Sequence, residues 1–129
     1  MWGNNKKFEN LVLLRALRDE VLADNEVGRD YIVMLYNNSL EVLTILIQNQ
    51  LLTEQIQEVI DKLLPGIQSL LDGEVMTLTK SQLANIEMIL SKIEYRSSPT
   101  LETAIGRVKK DLAQGDIFKQ LHITISPSY

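Results

Sequence analysis

Asp24-Asn25-Glu26-Val27-Gly28-Arg29-Asp30 is the stretch whose residue types come closest to doing chemistry, since acidic side chains around a glycine resemble a calcium loop. An EF-hand loop needs oxygen ligands at its first, third and fifth positions, with glycine sixth. Counting back from Gly28, those positions hold Ala23, Asn25 and Val27, so a helix-ending turn is the expectation here. A di-iron bundle would need inward glutamates with Glu-x-x-His pairs. His122 is the only histidine and falls in the expected tail, while the glutamates fall on polar faces, so no metal site is expected. With one histidine and no cysteine, a Ser-His-Asp or Cys-His arrangement has no ordinary helical positions to occupy. No Walker sequence and no Gly-x-Gly-x-x-Gly occurs, and no cofactor is expected.

Arg107, Lys109 and Lys110, with Lys119, form the one basic cluster, and Asp111 and Asp116 dilute it. Nucleic-acid contact needs a larger positive surface with aromatic or amide readers. The net charge of −4 points the same way, so neither nucleic acid nor an anionic membrane is an expected partner. Cations near the negative end of a helix explain the cluster better. Tyr31 and Tyr36 lie on the most apolar segment, where buried tyrosines with satisfied hydroxyls are commoner than pocket-lining ones.

The elements that position these residues read as helices. Leu11, Leu14, Leu17 and Val21 continue a stripe from Phe8, giving a first helix over about Asn5 to Ala23, closed by Gly28 in a positive-φ conformation. Arg29 or Asp30 opens the central stretch, Tyr31 to Ile47, in which Glu41 is the only charged residue. A helix apolar nearly all round is covered by neighbours or sits in a membrane. Asn37-Asn38-Ser39 and Glu41 leave no run approaching the ~18 apolar residues of a spanning helix, so burial is expected, with a break or sharp kink at Asn37–Ser39. Thr53 is the expected N-cap of a helix reaching Leu71, kinked rather than stopped at Pro65 and ended by Asp72-Gly73. Glu74 to Leu78 reads as a connector. Thr79 with Gln82 has capping-box spacing, and Ser98-Pro99 is a second start signal. Gly115 closes that last long helix, Asp116 to Leu121 adds a turn, and His122-Ile123-Thr124-Ile125 alternates like a strand without an obvious partner.

Leu14-Arg15-Ala16-Leu17-Arg18-Asp19, then Leu22, Gly28-Arg29, Tyr36 and Ser39, form a pattern similar to the CFI-box C-terminal domain of bacterial proteins. There a Leu-Arg-x-Phe-Arg-Asp helix precedes Gly-Arg, a tyrosine pair and Ser-Pro, with a later proline matched by Pro65. The resemblance covers roughly residues 11 to 71. The Cys-Phe-Ile-Ala-Thr-Ala box is absent, and Leu17, Leu35 and Leu40 replace the family's phenylalanine, first tyrosine and proline. The resemblance implies a terminal helical module of a larger, often exported protein, with Arg15, Arg18, Asp19, Gly28, Arg29 and Tyr36 as the family-like positions. It carries no established activity. The same charges would also fix a helix–turn–helix corner by pairing.

The resulting expectation is an all-α single domain over residues 1–129, a bundle of four to six amphipathic helices with a short extended C-terminal tail. Its 129 residues suffice for one core without staples, and the lack of cysteine suits a reducing compartment. Met1 to Lys7 lacks the apolar run of a signal peptide, so the chain stays where it is made or is an excised domain. Three functions are weighed: a non-enzymatic structural or protein-interaction module, a small-molecule or lipid-binding bundle with an apolar pocket near Tyr31–Ile47, and a homodimer. The stripes Phe8–Val21 and Leu51–Leu71 are the expected dimer surfaces.

Overall fold

The computed structural model describes residues 11–126. Six helices and one small sheet make an all-α bundle with an extended C-terminal strand. Helix α1 covers 11–24 and changes pitch as it ends: regular over 11–16, a π turn at Leu17–Val21, a 3-10 turn at Leu22–Asp24. Its expected start and Phe8 lie outside the described residues. Then follow α2 (Glu26–Gln48), α3 (Gln50–Leu71), β1 (Met76–Leu78), α4 (Lys80–Tyr95), α5 (Pro99–Gln114), α6 (Asp116–Gln120) and β2 (Ile123–Ile125).

Local chemistry starts and stops most of these elements as the sequence suggests. Thr79 and Gln82 close a capping box in both directions, with Oγ1 accepting from the Gln82 amide at 3.0 Å and Oε1 accepting from the Thr79 amide at 2.9 Å. Ser98 caps α5 with Pro99 at its first position, and Gly115 ends it at φ 78°. Helix α3 runs through Pro65 to Leu71. Its register survives because the apolar stripe on either side of the proline still meets the core.

Five local expectations are corrected. Helix α2 begins at Glu26, not Arg29 or Asp30, because the Asn25 side chain accepts from the Gly28 amide at 2.7 Å and so caps the helix. Gly28 therefore lies inside α2 and does not take positive φ. Helix α2 is continuous through Asn37-Asn38-Ser39: Asn38 Nδ2 donates to the Met34 carbonyl at 2.8 Å and Ser39 Oγ to that of Tyr36 at 3.1 Å. The Asn38 and Ser39 donors are satisfied on their own helix, which continues through them. Thr53 is no cap. It lies one turn inside α3, and its hydroxyl donates to the Leu46 and Asn49 carbonyls at 2.8 and 3.2 Å, pinning the corner at Asn49. The tail strand has a partner after all: β1, within the expected connector, pairs with β2 in parallel, Met76 opposite Ile123 and Leu78 opposite Ile125.

Two apolar clusters hold the bundle. Ile45, Leu52, Ile89, Ile93, Leu101 and Ile105 join α2, α3, α4 and α5. Leu70, Met76, Leu78 and Phe118 gather at the other end around the sheet, with Leu17, Val21 and Leu112 packed on them. Burying each such side chain contributes about 1.5–3 kcal/mol. Gly66 admits the sheet to α3, since a Cβ there would lie 2.8 Å from Met76 Cγ.

The largest correction concerns α2 itself. Of its 23 residues only Gly28 and Ile45 are buried, so the apolar central stretch is covered on one side and bare on the other. The described residues hold too few helices to surround it. Helices α3 and α5 pack on one face, α1 lies against the first half of α2, where Arg18 reaches Tyr36, and among the described residues the rest of the opposite face is left open.

Candidate apolar docking surface

The bare face of α2 is built from Val33, Tyr36, Leu40, Leu43 and Ile47, each more than half exposed, from 54% at Leu43 to 78% at Leu40. A 3.6-residue helix places these five on one stripe, opposite the face that carries Ile45 into the core. Beside it, Met34, Val42, Leu46, Leu90, Leu101 and Val108 line an apolar groove of about 500 Å³ between α2, α4 and α5. Asn38 and Ser39 also line it, with Asn38 Nδ2 and Ser39 Oγ donating to helical carbonyls. The surface is therefore predominantly apolar.

The six family-like residues divide over two places beside it. Arg18 forms a forked pair with Asp19, Nε to Oδ1 at 2.8 Å, and reaches the Tyr36 hydroxyl at 3.2 Å. The hydrogen bond from Arg18, helped by the charges of Arg18 and Arg15, holds the Asp19 carboxyl below its usual range. Arg15, Arg18 and Tyr36 share a cleft between α1 and α2. Gly28 and Arg29 lie at the α1–α2 corner, where Arg29 donates to the Ala23 carbonyl at 3.0 Å. These bonds tie α1 to the start of α2. Tyr36 is 63% exposed, against the expectation of a buried tyrosine. Tyr31 meets it, half-buried with its hydroxyl donating to Asp111, and burial with that bond raises its pKa.

Two residues of the basic cluster, Arg107 and Lys109, are ion-paired. Arg107 lies near Asp30 and Asp111, at 3.7 and 3.9 Å, and 5.7 Å from the Tyr31 ring centre. Lys109 meets Glu94 at 2.8 Å. His122 serves the backbone: at φ 60°, it turns the chain into β2 and its carbonyl accepts from the Met76 amide at 3.0 Å. Among the described residues no three His, Asp or Glu side chains gather as a metal would require. Nor is any helix among them long and apolar enough to cross a membrane.

One functional-looking residue escaped the sequence reading. Glu41, the lone charge of the central stretch, accepts from both the amide and the hydroxyl of Ser98, each at 2.6 Å. A carboxylate on α2 thus caps the positive end of α5, and the Ser98 bonds hold its pKa below the usual range. The signal was present in the sequence: an isolated carboxylate in an apolar run, together with a serine-proline helix start elsewhere. A depressed folded pKa means stability that is present above the unfolded value of 4.5 and lost as pH falls through the folded one. Urea midpoints of the wild type and Glu41→Gln should therefore differ at neutral pH and converge in acid. A gap that persists undiminished below the folded pKa would refute the cap.

The molecule so described is a helical bundle with an open apolar face. No known family, no characterised relative and no solved structure matches the chain.

Proposed function

We propose that the protein is a non-enzymatic, helical protein-interaction module whose working surface is the open face of α2. The observation that carries this reading is the bare stripe Val33–Ile47. Monomeric proteins rarely leave a large contiguous apolar patch exposed without using it. Relation to the CFI-box domain, which rests on the pattern through Arg15, Arg18, Asp19, Gly28, Arg29 and Tyr36, would make the module part of a larger bacterial protein. In that setting the bonds from Arg18 to Tyr36 and from Arg29 to the Ala23 carbonyl help set the angle at which α1 meets α2, and so the outline of the docking surface.

A photo-crosslinking residue at Leu43 should give an adduct with a protein of discrete mass, a second copy included, in cells that make the protein. The same residue at Glu58, on the polar face of α3, should give none. No adduct at either position would refute the interaction reading, and a turnover abolished by one polar substitution would refute the non-enzymatic one. The groove supports a second reading as a small-molecule or lipid site, since about 500 Å³ lies within the range of ligand pockets, roughly 300–1,000 Å³. Small-molecule mass retained by the purified chain in native mass spectrometry would favour it.

A further inference from the structure

We propose that the open face of α2 pairs with the same face of a second copy of this chain, forming a two-fold helix–helix seam. The inference rests on the interaction reading above and names its partner. Val33, Tyr36, Leu40, Leu43 and Ile47 are separated by three, four, three and four residues. That is the 3.5-residue repeat of helices that wind around one another, with Val33, Leu40 and Ile47 at one set of seam positions and Tyr36 and Leu43 at the other. The core contacts of α2 do not need this spacing, because the five side chains point away from Ile45 and the groups packed on it. The phase of the repeat fits a second helix on the solvent side.

Charge selects the occupant. From Tyr31 to Thr53 the only charged residue is Glu41, and it faces α5, where Ser98 engages it. The seam is flanked by Asn37, Thr44 and Gln48 on its other side. Flanking charges usually choose the partner in such seams. On the α1 side Arg18 reaches the Tyr36 hydroxyl with its charge offset by Asp19. One neutral flank and one ion-paired flank offer little complement to a charged partner helix and little like-charge repulsion to a copy of the same face. An isologous two-fold contact needs a self-complementary patch, and a neutral apolar stripe centred on Leu40 is one. At these exposures the five side chains present on the order of 600 Å². That approaches the ~800 Å² each partner contributes to a standard interface, and Leu35, exposed on the same helix, extends it.

The chain has no cysteine, which makes a single introduced thiol a clean reporter. Three samples are compared: wild type and Leu40→Glu by light scattering over a wide concentration range, and Leu40→Cys by oxidation and by maleimide labelling. The expected result is twice the 14.7 kDa chain mass for wild type, the single mass for Leu40→Glu with unchanged helicity, and a disulfide dimer for Leu40→Cys. A wild type that stays monomeric, while the thiol of Leu40→Cys labels at the rate of a free one, overturns self-pairing and leaves the face open to another partner. A monomer in which that thiol resists labelling shows the face covered by its own chain, and overturns both this proposal and the interaction reading. A dimer that survives Leu40→Glu and fails to cross-link through the introduced thiol places the contact elsewhere and overturns the proposal alone.

Discussion

Gly28→Ala is expected to destabilise the protein by about 3 kcal/mol or more, although it replaces a glycine inside a helix with the best helix former. On helix propensity alone the change would stabilise by roughly 0.5–1 kcal/mol. The opposite sign follows from one contact. A Cβ on Gly28 would lie 2.0 Å from the Leu22 carbonyl oxygen and 2.6 Å from that residue's carbonyl carbon and Cα. The obstacle is backbone, so no rotamer change relieves it. The end of α1 would have to lift off α2, loosening the Asn25 cap and the Arg29 bond to Ala23. A domain of this size has about 5–15 kcal/mol in all, so such a loss is a large share of it. Urea unfolding followed by circular dichroism measures it. A midpoint at or above the wild-type value would show that α1 does not approach Gly28 as described.

Leu52→Ala should cost about 3–4 kcal/mol, while Leu51→Ala should stay within about 0.5 kcal/mol of the wild type. The two leucines are adjacent in the first turns of α3 and equal in chemistry. Leu52 is 4% exposed and packs with Ile45, Ile89, Ile93, Leu101 and Ile105, where a truncated side chain leaves a cavity. Leu51 is 69% exposed and leaves none. Equal losses at the two positions would contradict the orientation of α3, and with it the assignment of the open side of the bundle. Unfolding at low protein concentration keeps any effect of Leu51 on association out of the comparison.

Signals that act within a few residues of themselves were legible in the chain. Thr79 with Gln82, Ser98 with Pro99, and Gly115 set helix ends through bonds closed inside a single turn, and the structure shows all of them. The in-phase stripe across Pro65 foretold a helix that continues. Asn37-Asn38-Ser39 misled because the same polar side chains break a helix or bond back onto it, and only the packing of α2 decides between these outcomes. The strand pairing of Met76–Leu78 with Ile123–Ile125 was hidden by the three-residue length of each strand and by the 47 residues separating their partners.

The candidate surface divides in the same way. By itself the sequence determined that residues 31–47 form an apolar helical stretch with one carboxylate, within an all-α bundle. Which face of that stretch enters the core was decided only by tertiary structure, because the stretch is apolar nearly all round and apolarity alone does not mark the buried side. The directions from which α3 and α5 approach left Val33, Tyr36, Leu40, Leu43 and Ile47 outside. Gly28 shows the same limit at one residue: its place beside the carbonyl of Leu22 is set by the fold of α1 onto α2, and a turn glycine and a contact glycine read alike in the chain.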